Sequence, residues 1–388
     1  MALAHNELTA LLRAQIEATG PISFAHFMDV ALYHPVHGYY RQASKQIGCQ
    51  GDFYTSVSVG PLLGQLLAFQ FARWLETEPV RGRLPGSVAQ TSGTERARFQ
   101  WVEAGAHDGR LALDILSWVQ QLRPELLDKV EYWIIEPSPT RRQVQEQTLK
   151  AFSSHVRWLE NVSNLPSTGV RGVIFANELL DAFPVWRIGW DASRREWFEW
   201  RVAWENDQFV WRHASTTGSP TLTAELANLD WQWPPAELGA VLPQNYTVEI
   251  CPAARAWWQQ AAVRLGQGKL LTFDYGLVAD ELYVPHRPEG TLRSYQSHRL
   301  TSNPLAHPGE QDLTAHVNFS VIRQAGEQAG LQTDCFCSQG AFLTGVLADA
   351  LADPARFGDL TPAMSRQFHT LTHPEHLGRA FRVLVQSR

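Results

Sequence analysis

No stretch of the 388-residue sequence reaches the roughly 18 consecutive apolar residues that a membrane-spanning helix requires. Residues 1–20 lack the charged leader and long apolar core of a signal peptide, and they contain too few arginines for a transit peptide. We therefore expect a cytoplasmic protein that neither spans nor binds a membrane.

An excess of positive charge is also missing. The net charge is -6 at pH 7 and the isoelectric point is about 6.2. Proteins that bind phosphate backbones usually present basic surfaces. Nucleic acid is therefore not an expected partner.

Cysteine is scarce, with four residues in the whole chain. Cys335 and Cys337 are close in sequence, but their C-F-C spacing differs from the C-x-x-C spacing of zinc and redox sites. The sequence predicts reduced thiols and no metal site.

Alternating buried strands and helices begin at residue 99. Strand patterns occur in FQWVEA, VEYWIIE, VRWL and GVIFAN, and they resume beyond residue 245 in KLLTFDYG, LQTDCFC and FRVLVQ. Strands separated by helices of this length are typical of a parallel sheet covered on both faces. We predict an α/β fold with one doubly wound sheet of about seven strands.

Two further regions flank or interrupt this pattern. Residues 1–98 carry helical patterns, one of them stopped at His34-Pro35, and form a predicted N-terminal helical region. Residues 185–245 are predicted to be an inserted β-rich subdomain, with a hairpin around Glu205-Asn206-Asp207. The α/β domain then comprises residues 99–184 and 246–388.

The insertion contains eight of the fifteen tryptophans, between Trp186 and Trp233. These side chains form either the core of the subdomain or a platform for stacking nucleic-acid bases. Because the segment is not basic, we favour the core. A dimer formed through exposed tryptophans is also compatible with the sequence.

The first strand of the α/β pattern leads into the loop EAGAHDG, residues 103–109. Gly105 permits a tight turn, and Gly109 lets the next helix pack closely with its amino end towards a ligand. His107 occupies the place where nucleotide-binding loops usually have a third glycine. The loop is either a nucleotide site or a structural turn.

The second strand ends at Glu136. An acid at this position can accept hydrogen bonds from both hydroxyl groups of a ribose. The alternative is a solvated acid at the start of a helix. Agreement between two strand ends favours a nucleoside ligand.

The next two strands also end in polar residues. Asn161 follows the third strand, where its amide could recognise an adenine amine. Asn177, Glu178 and Asp181 follow the fourth strand, where the acids could orient a substrate nitrogen or accept a proton. The alternative for Asn177 is a helix cap.

Eight segments of the chain carry a family resemblance. They are PISFAHFM, YHPVHGYY, GDFYTS at 51–56, EAGAHDG, YWIIEPS, ANELLDAFPV at 176–185, FDYG at 273–276 and PGEQDLTAHVNF at 308–319. In this order they resemble the MidA family of S-adenosylmethionine-dependent methyltransferases. The mitochondrial member of that family is a protein-arginine methyltransferase needed for assembly of respiratory complex I.

The resemblance implies a class I methyltransferase fold, S-adenosyl-L-methionine as cofactor, and a protein substrate, with respiratory complex subunits among the candidates. The implied acceptor is arginine. The predicted catalytic residues are Glu178, Asp181 and Asn177. The predicted cofactor-binding residues are Asp52, Thr55, Ser56, Glu103, Gly105, Gly109, Glu136, Asn161 and Asn177. Asp312 and His316 would border the substrate cleft.

The sequence leaves three hypotheses. The first is an active methyltransferase, and the second is a silent relative that retains the fold as an assembly or binding module, because His107 departs from the family loop. The third is a nicotinamide-dependent dehydrogenase, which shares the glycine loop and the ribose acid. It is the weakest, since it gives no account of GDFYTS or ANELLDAFPV.

Overall fold

The computed structural model describes residues 7–41, 55–77, 98–228, 240–296 and 299–388. None of the helices in these ranges combines the length and the apolar character that crossing a lipid bilayer demands.

The strands and helices are numbered in chain order. The strands are β1 Ile22–Ser23, β2 Phe99–Ala104, β3 Val130–Ile135, β4 Val156–Leu159, β5 Val170–Asn177, β6 Trp186–Asp191, β7 Glu196–Glu205, β8 Gln208–Ser215, β9 Thr247–Ile250, β10 Leu265–Leu277, β11 Arg293–Gln296, β12 Arg299–Thr301, β13 Asp312–Thr314, β14 Val317–Asn318, β15 Gln332–Ser338 and β16 Phe381–Ser387. The helices are α1 Glu7–Thr19, α2 Phe24–Tyr33, α3 Leu62–Thr77, α4 Arg110–Leu122, α5 Pro139–Thr148, α6 Pro220–Asn228, α7 Pro252–Arg264, α8 Ala279–Leu282, α9 Phe319–Gln328, α10 Gln339–Ala352, α11 Pro354–Phe357 and α12 Pro362–Thr372.

The chain divides into two compact units. The first comprises Met1–Ser58, Glu178–Gln259 and Asp274–Gln328, and the second comprises Val59–Asn177, Gln260–Phe273 and Ala329–Arg388. The domain boundaries predicted from the sequence divide the chain differently and stay a prediction.

The second unit contains a seven-stranded sheet in the order β15-β16-β10-β5-β2-β3-β4. The run from β10 to β4 is parallel, whereas β15 and β16 are antiparallel. The predicted seven-stranded α/β sheet is thus confirmed. The reversed direction at one edge was not predicted, because hydrophobic patterning identifies a strand without giving its direction.

The central strands of this sheet are buried on both faces. Val102 of β2, Ile134 of β3 and Ile174 of β5 are fully buried, and so is the aromatic ring of Phe175. Such continuous burial is expected of a parallel sheet covered by helices. Because β2, β3, β4 and β5 are parallel, their carboxyl ends lie along one edge of the sheet, and the loops that follow them meet there.

The first unit is built around a separate antiparallel sheet in the order β1-β7-β6-β9, with β8 paired to β7. β7 and β8 form the predicted hairpin. Asn206 and Asp207 make its two-residue turn, with φ of 50° and 58°. Positive φ at both positions is the requirement of the type I′ turn, which suits the twist of paired strands.

Aromatic side chains of the hairpin pack on α2 within the first unit. The ring of Phe209 lies 5.3 Å from that of Phe27, and the ring of Trp211 lies 5.0 Å from that of Phe24. Phe24 and Phe27 are fully buried. These contacts support the core interpretation for the tryptophans that the structure describes.

The ends of α2 follow from its flanking residues. The Ser23 hydroxyl accepts a hydrogen bond from the backbone N–H of His26 and caps the first turn. The helix ends at Tyr33, and His34 is extended, with ψ of 132°. The stop predicted from Pro35 is confirmed, since a residue before proline avoids helical angles.

Candidate active site

The loop after β2, in the second unit, has left-handed backbone angles at three positions. The φ angle is 75° at Gly105, 48° at His107 and 83° at Gly109. Histidine is one of the few non-glycine residues found in this region with any frequency. His107 therefore reproduces the backbone conformation that a third glycine would supply.

The side chain of His107 is largely buried, and its Nε2 atom has no hydrogen-bond partner among the described residues. Burial lowers the pKa of His107 below its ordinary value, and the nearby charge of Arg141 adds to the effect. The neutral ring has one donor and one acceptor nitrogen. A buried nitrogen without a partner is costly, so this atom suits a ligand contact.

Glu136 lies directly after β3 and is buried, with 7% of its surface exposed. Oε1 accepts a hydrogen bond of 2.8 Å from the backbone N–H of Ser138, and Oε2 accepts one of 3.0 Å from Gln145 Nε2. A carboxylate accepts hydrogen bonds from hydroxyl groups such as those of a ribose.

Gln145, on α5, was missed by the sequence analysis. It is fully buried, and its Nε2 also donates to the backbone carbonyl of His107 at 3.0 Å. Its Oε1 accepts from Trp158 Nε1 at 3.0 Å. In the sequence, Gln145 is one polar residue among many on α5, so it could not be recognised as buried.

Glu103, within β2, is buried and accepts a hydrogen bond of 2.6 Å from the Tyr132 hydroxyl. Burial raises the pKa of Glu103 to about 7, although the Tyr132 hydrogen bond opposes the shift. Its predicted contact with the methionine part of the cofactor stays a prediction.

Asn161 is exposed and caps a short turn after β4. Its Oδ1 accepts a hydrogen bond of 2.9 Å from the backbone N–H of Ser163. The structure gives this oxygen a local role, and recognition of adenine by Asn161 stays a prediction. Asn177 ends β5 at the same sheet edge as Glu136.

In the first unit, two predicted segments meet. Ser56 is fully buried, and its backbone N–H donates a hydrogen bond of 3.0 Å to Oε1 of Glu178. Thr55 and Ser58 form a turn through reciprocal hydrogen bonds of 3.0 and 3.1 Å between backbone and hydroxyl. Asp52 lies outside the described residues. Ser56, the last residue of GDFYTS, therefore contacts Glu178 of the segment ANELLDAFPV.

Asp274 organises the turn that carries Glu178 and Asp181. Its Oδ2 accepts hydrogen bonds from the backbone N–H groups of Leu179 at 3.2 Å and Leu180 at 2.8 Å. Glu178 has a φ of 53°, which is unusual for a glutamate. The carboxylate of Asp274 therefore stabilises the turn that directly follows Glu178.

Asp181 and Asp274 are both buried. Burial, followed by the charges of Asp274, Glu178 and Asp312, raises the pKa of Asp181 well above its ordinary value. Burial also raises the pKa of Asp274 to about 7, against the effect of its backbone hydrogen bonds. Two close carboxyl groups that cannot both ionise easily retain a proton. Asp274 belongs to the FDYG segment, but the sequence did not predict it as a site residue.

Asp312 and His316 also lie in the first unit. Asp312 is buried and accepts a hydrogen bond of 2.7 Å from the Tyr40 hydroxyl. His316 lines a cleft together with Cys251 and Asn318. Burial lowers the pKa of His316 to about 4, so the ring is neutral at pH 7. Among the described residues, no three acidic, histidine or cysteine side chains form a metal site.

The sheet with its glycine loop, and the buried acid after the next strand, are features of nucleotide-binding α/β proteins, a class that includes the class I methyltransferases. A sequence profile of a family of S-adenosyl-L-methionine-dependent methyltransferases matches residues 86–337. The chain belongs to this family. The resemblance inferred from the sequence is confirmed, and the dehydrogenase hypothesis is not supported.

Named relatives cover nearly the whole chain. The mitochondrial protein arginine methyltransferase NDUFAF7 of Danio rerio is 26% identical, over 95% of this chain and 84% of its own length. The protein of the same name from Homo sapiens is 27% identical, over 97% of this chain and 83% of its own.

A solved structure also matches over its length. A protein from Burkholderia thailandensis, whose crystal structure contains bound S-adenosyl-homocysteine, is 30% identical in sequence to this chain. The two structures match with a TM-score of 0.79. The match covers 98% of this chain and 92% of that one. S-adenosyl-L-methionine is accordingly the cofactor of this methyltransferase.

Replacing His107 with glycine tests whether the histidine contributes to cofactor binding. Because Nε2 is buried and has no partner among the described residues, we expect His107→Gly to weaken S-adenosylhomocysteine binding by roughly tenfold, the loss of one hydrogen bond in a dry site. Isothermal titration calorimetry measures the change. Replacing the exposed His376 with glycine is a control for loss of a histidine in the same unit. Tighter binding by His107→Gly would show that the side chain obstructs the cofactor.

Proposed function

We propose that the protein transfers a methyl group from S-adenosyl-L-methionine to a guanidinium nitrogen of arginine in a protein substrate. The observation that carries the proposal is Asp181, a carboxyl group whose pKa is raised first by burial and then by the charges of Asp274, Glu178 and Asp312. Ionised carboxylates that lie close together repel one another, and a bound cation relieves this repulsion. A guanidinium is permanently charged and has five N–H donors, so it matches several carboxylates at once.

The acids would prepare the acceptor for transfer. Glu178 and Asp181 would hold two guanidinium nitrogens and draw the positive charge towards them, which leaves the third nitrogen more nucleophilic. Methyl transfer needs mainly alignment of this nitrogen with the bond that breaks, in a dry pocket. The methylated nitrogen releases a proton, which an ionised carboxylate can accept.

The cofactor supplies the methyl group. On the second unit, the features that support its placement are the buried carboxylate of Glu136, the left-handed loop and the unpartnered Nε2 of His107. We assign Glu136 to the ribose and the loop with Gly105 and Gly109 to the methionine part. The further cofactor assignments to Asp52, Thr55, Ser56, Glu103, Asn161 and Asn177 are part of this proposal.

A protein acceptor is supported by the relatives, which are named protein arginine methyltransferases. Mass spectrometry of proteins from cells with and without the gene tests it. We expect at least one arginine to lose the added mass of one or two methyl groups in cells without the gene, and respiratory complex subunits are the first proteins to inspect. If a methyl group disappears only from another residue type, arginine is the wrong acceptor.

A further inference from the structure

Gln145 lies between the two parts of the second unit that we assign to opposite ends of the cofactor. Its amide nitrogen donates hydrogen bonds of 3.0 Å to both Glu136 Oε2 and the carbonyl oxygen of His107. Glu136 follows β3, whereas His107 belongs to the loop after β2. One side chain therefore ties two separate strand ends together.

The third hydrogen bond identifies which end of this amide is the oxygen. Trp158 on β4 donates from Nε1 to Gln145 Oε1 at 3.0 Å, so the oxygen faces the indole and both N–H groups face away from it. Gln145 is fully buried. A buried amide with both donors and its acceptor engaged has little freedom to rotate.

Close packing allows α5 to bring Gln145 to the loop. At Gly109, a Cβ atom would lie 3.4 Å from Gln145 Cα, at the tight end of ordinary contact. The glycine that precedes α4 therefore serves the approach of α5 as well as the backbone angle.

The chemistry of the position is specific to an amide. An apolar side chain would leave the carboxylate of Glu136, the carbonyl of His107 and the indole N–H of Trp158 each without this partner, and unpaired buried groups are costly. A carboxylate would still accept from the indole, but its charge would repel Glu136.

We propose that Gln145 is a positioning residue that sets the orientation of Glu136 and the conformation of the His107 loop together. It thereby couples recognition of the ribose to recognition of the methionine part. This inference rests on the proposed assignment of Glu136 and the loop to the cofactor.

Calorimetry with two ligands tests the coupling. S-adenosylhomocysteine has both the nucleoside and the amino-acid part, whereas 5′-methylthioadenosine lacks the amino-acid part. We expect Gln145→Met to weaken S-adenosylhomocysteine binding by roughly 10- to 100-fold and methylthioadenosine binding by a smaller factor, about tenfold. In a Glu136→Ala background, Gln145→Met should no longer affect methylthioadenosine but should still weaken S-adenosylhomocysteine.

Trp158→Phe is the matched control, because it removes the hydrogen bond to the Gln145 oxygen and leaves both donations in place. We expect its affinities to stay within about threefold of the unmodified protein, because the two donations persist. An equal loss of affinity in Trp158→Phe and Gln145→Met would mean that packing of α5, and not the two donations, matters, and would overturn the proposal.

Gln145→Glu covers the case in which Gln145→Met does not fold. Near pH 7.5 the introduced carboxylate should repel Glu136 and weaken binding. Binding should recover as the pH is lowered and the carboxyl regains a proton to donate, whereas a purely structural defect would not recover.

Two further outcomes separate this inference from the site assignment. If Glu136→Ala weakens binding and Gln145→Met does not, Gln145 has no positioning role. If neither variant changes the affinity for either ligand, the assignment of Glu136 to the ribose is itself wrong.

Discussion

Replacing Asp181 with asparagine is expected to reduce arginine methylation by at least about 100-fold, since removing one member of a buried charged pair typically costs 3–5 kcal/mol. The amide keeps the shape of the side chain but cannot carry the charge that holds a guanidinium. Activity on an arginine peptide, followed by release of S-adenosylhomocysteine, measures the loss. Affinity for S-adenosylhomocysteine should stay within about twofold, because Asp181 is not among the residues that we assign to the cofactor.

Asp280→Asn is the matched control, because it removes an exposed carboxylate from the same unit. The unmodified enzyme should also show a falling KM for the peptide as the pH rises through about 7, the pKa to which burial raises Asp274. The sign follows from charge: the guanidinium stays protonated, while the acids ionise as the pH rises. If Asp181→Asn retains full activity, arginine is not held by this group of acids.

The second large effect is expected at the cofactor. Glu136→Ala should weaken S-adenosyl-L-methionine binding by about 1 to 3 kcal/mol, the range for hydrogen bonds to a charged group. The variant removes the only acid at the end of β3 and leaves Gln145 without the carboxylate that it holds. Calorimetry measures the affinity directly, and kinetics should show a raised KM for the cofactor.

Glu146→Ala provides the comparison for this variant, because Glu146 is an exposed acid on α5, next to Gln145 in the chain. Its affinity should equal that of the unmodified protein. If Glu136→Ala binds S-adenosyl-L-methionine with unchanged affinity, Glu136 does not bind the ribose. This conclusion is independent of the acids in the first unit.

Patterning of apolar residues predicted most of the sheet in the second unit. FQWVEA and VRWL coincide with β2 and β4, residue for residue, because buried parallel strands read as short apolar runs between turns. The loop after β2 and the acid after β3 were predicted as cofactor residues because nucleotide sites demand those residue types at strand ends, and these assignments stay predictions. The hairpin turn at Asn206 and Asp207 followed from local turn chemistry.

Contacts between residues that are distant in the sequence could not be predicted from apolar patterning or from motifs at strand ends. Asp274 lies more than ninety residues after Leu180, and only the folded chain brings its carboxylate to that turn. Gln145 appears on a helix with a mostly polar composition, where nothing distinguishes a buried amide from a solvated one. The sequence raised the question of His107, but the structure was needed to show its backbone angle and its buried nitrogen.

The turn at Leu179 and Leu180 has a consequence for the choice of acceptor. Successive backbone N–H groups commonly form a concave nest that captures phosphate or carboxylate from outside the protein. In this protein the nest is filled from within by Asp274. Because these N–H groups already bind a carboxylate of the protein itself, we expect the methyltransferase to discriminate against anionic acceptors.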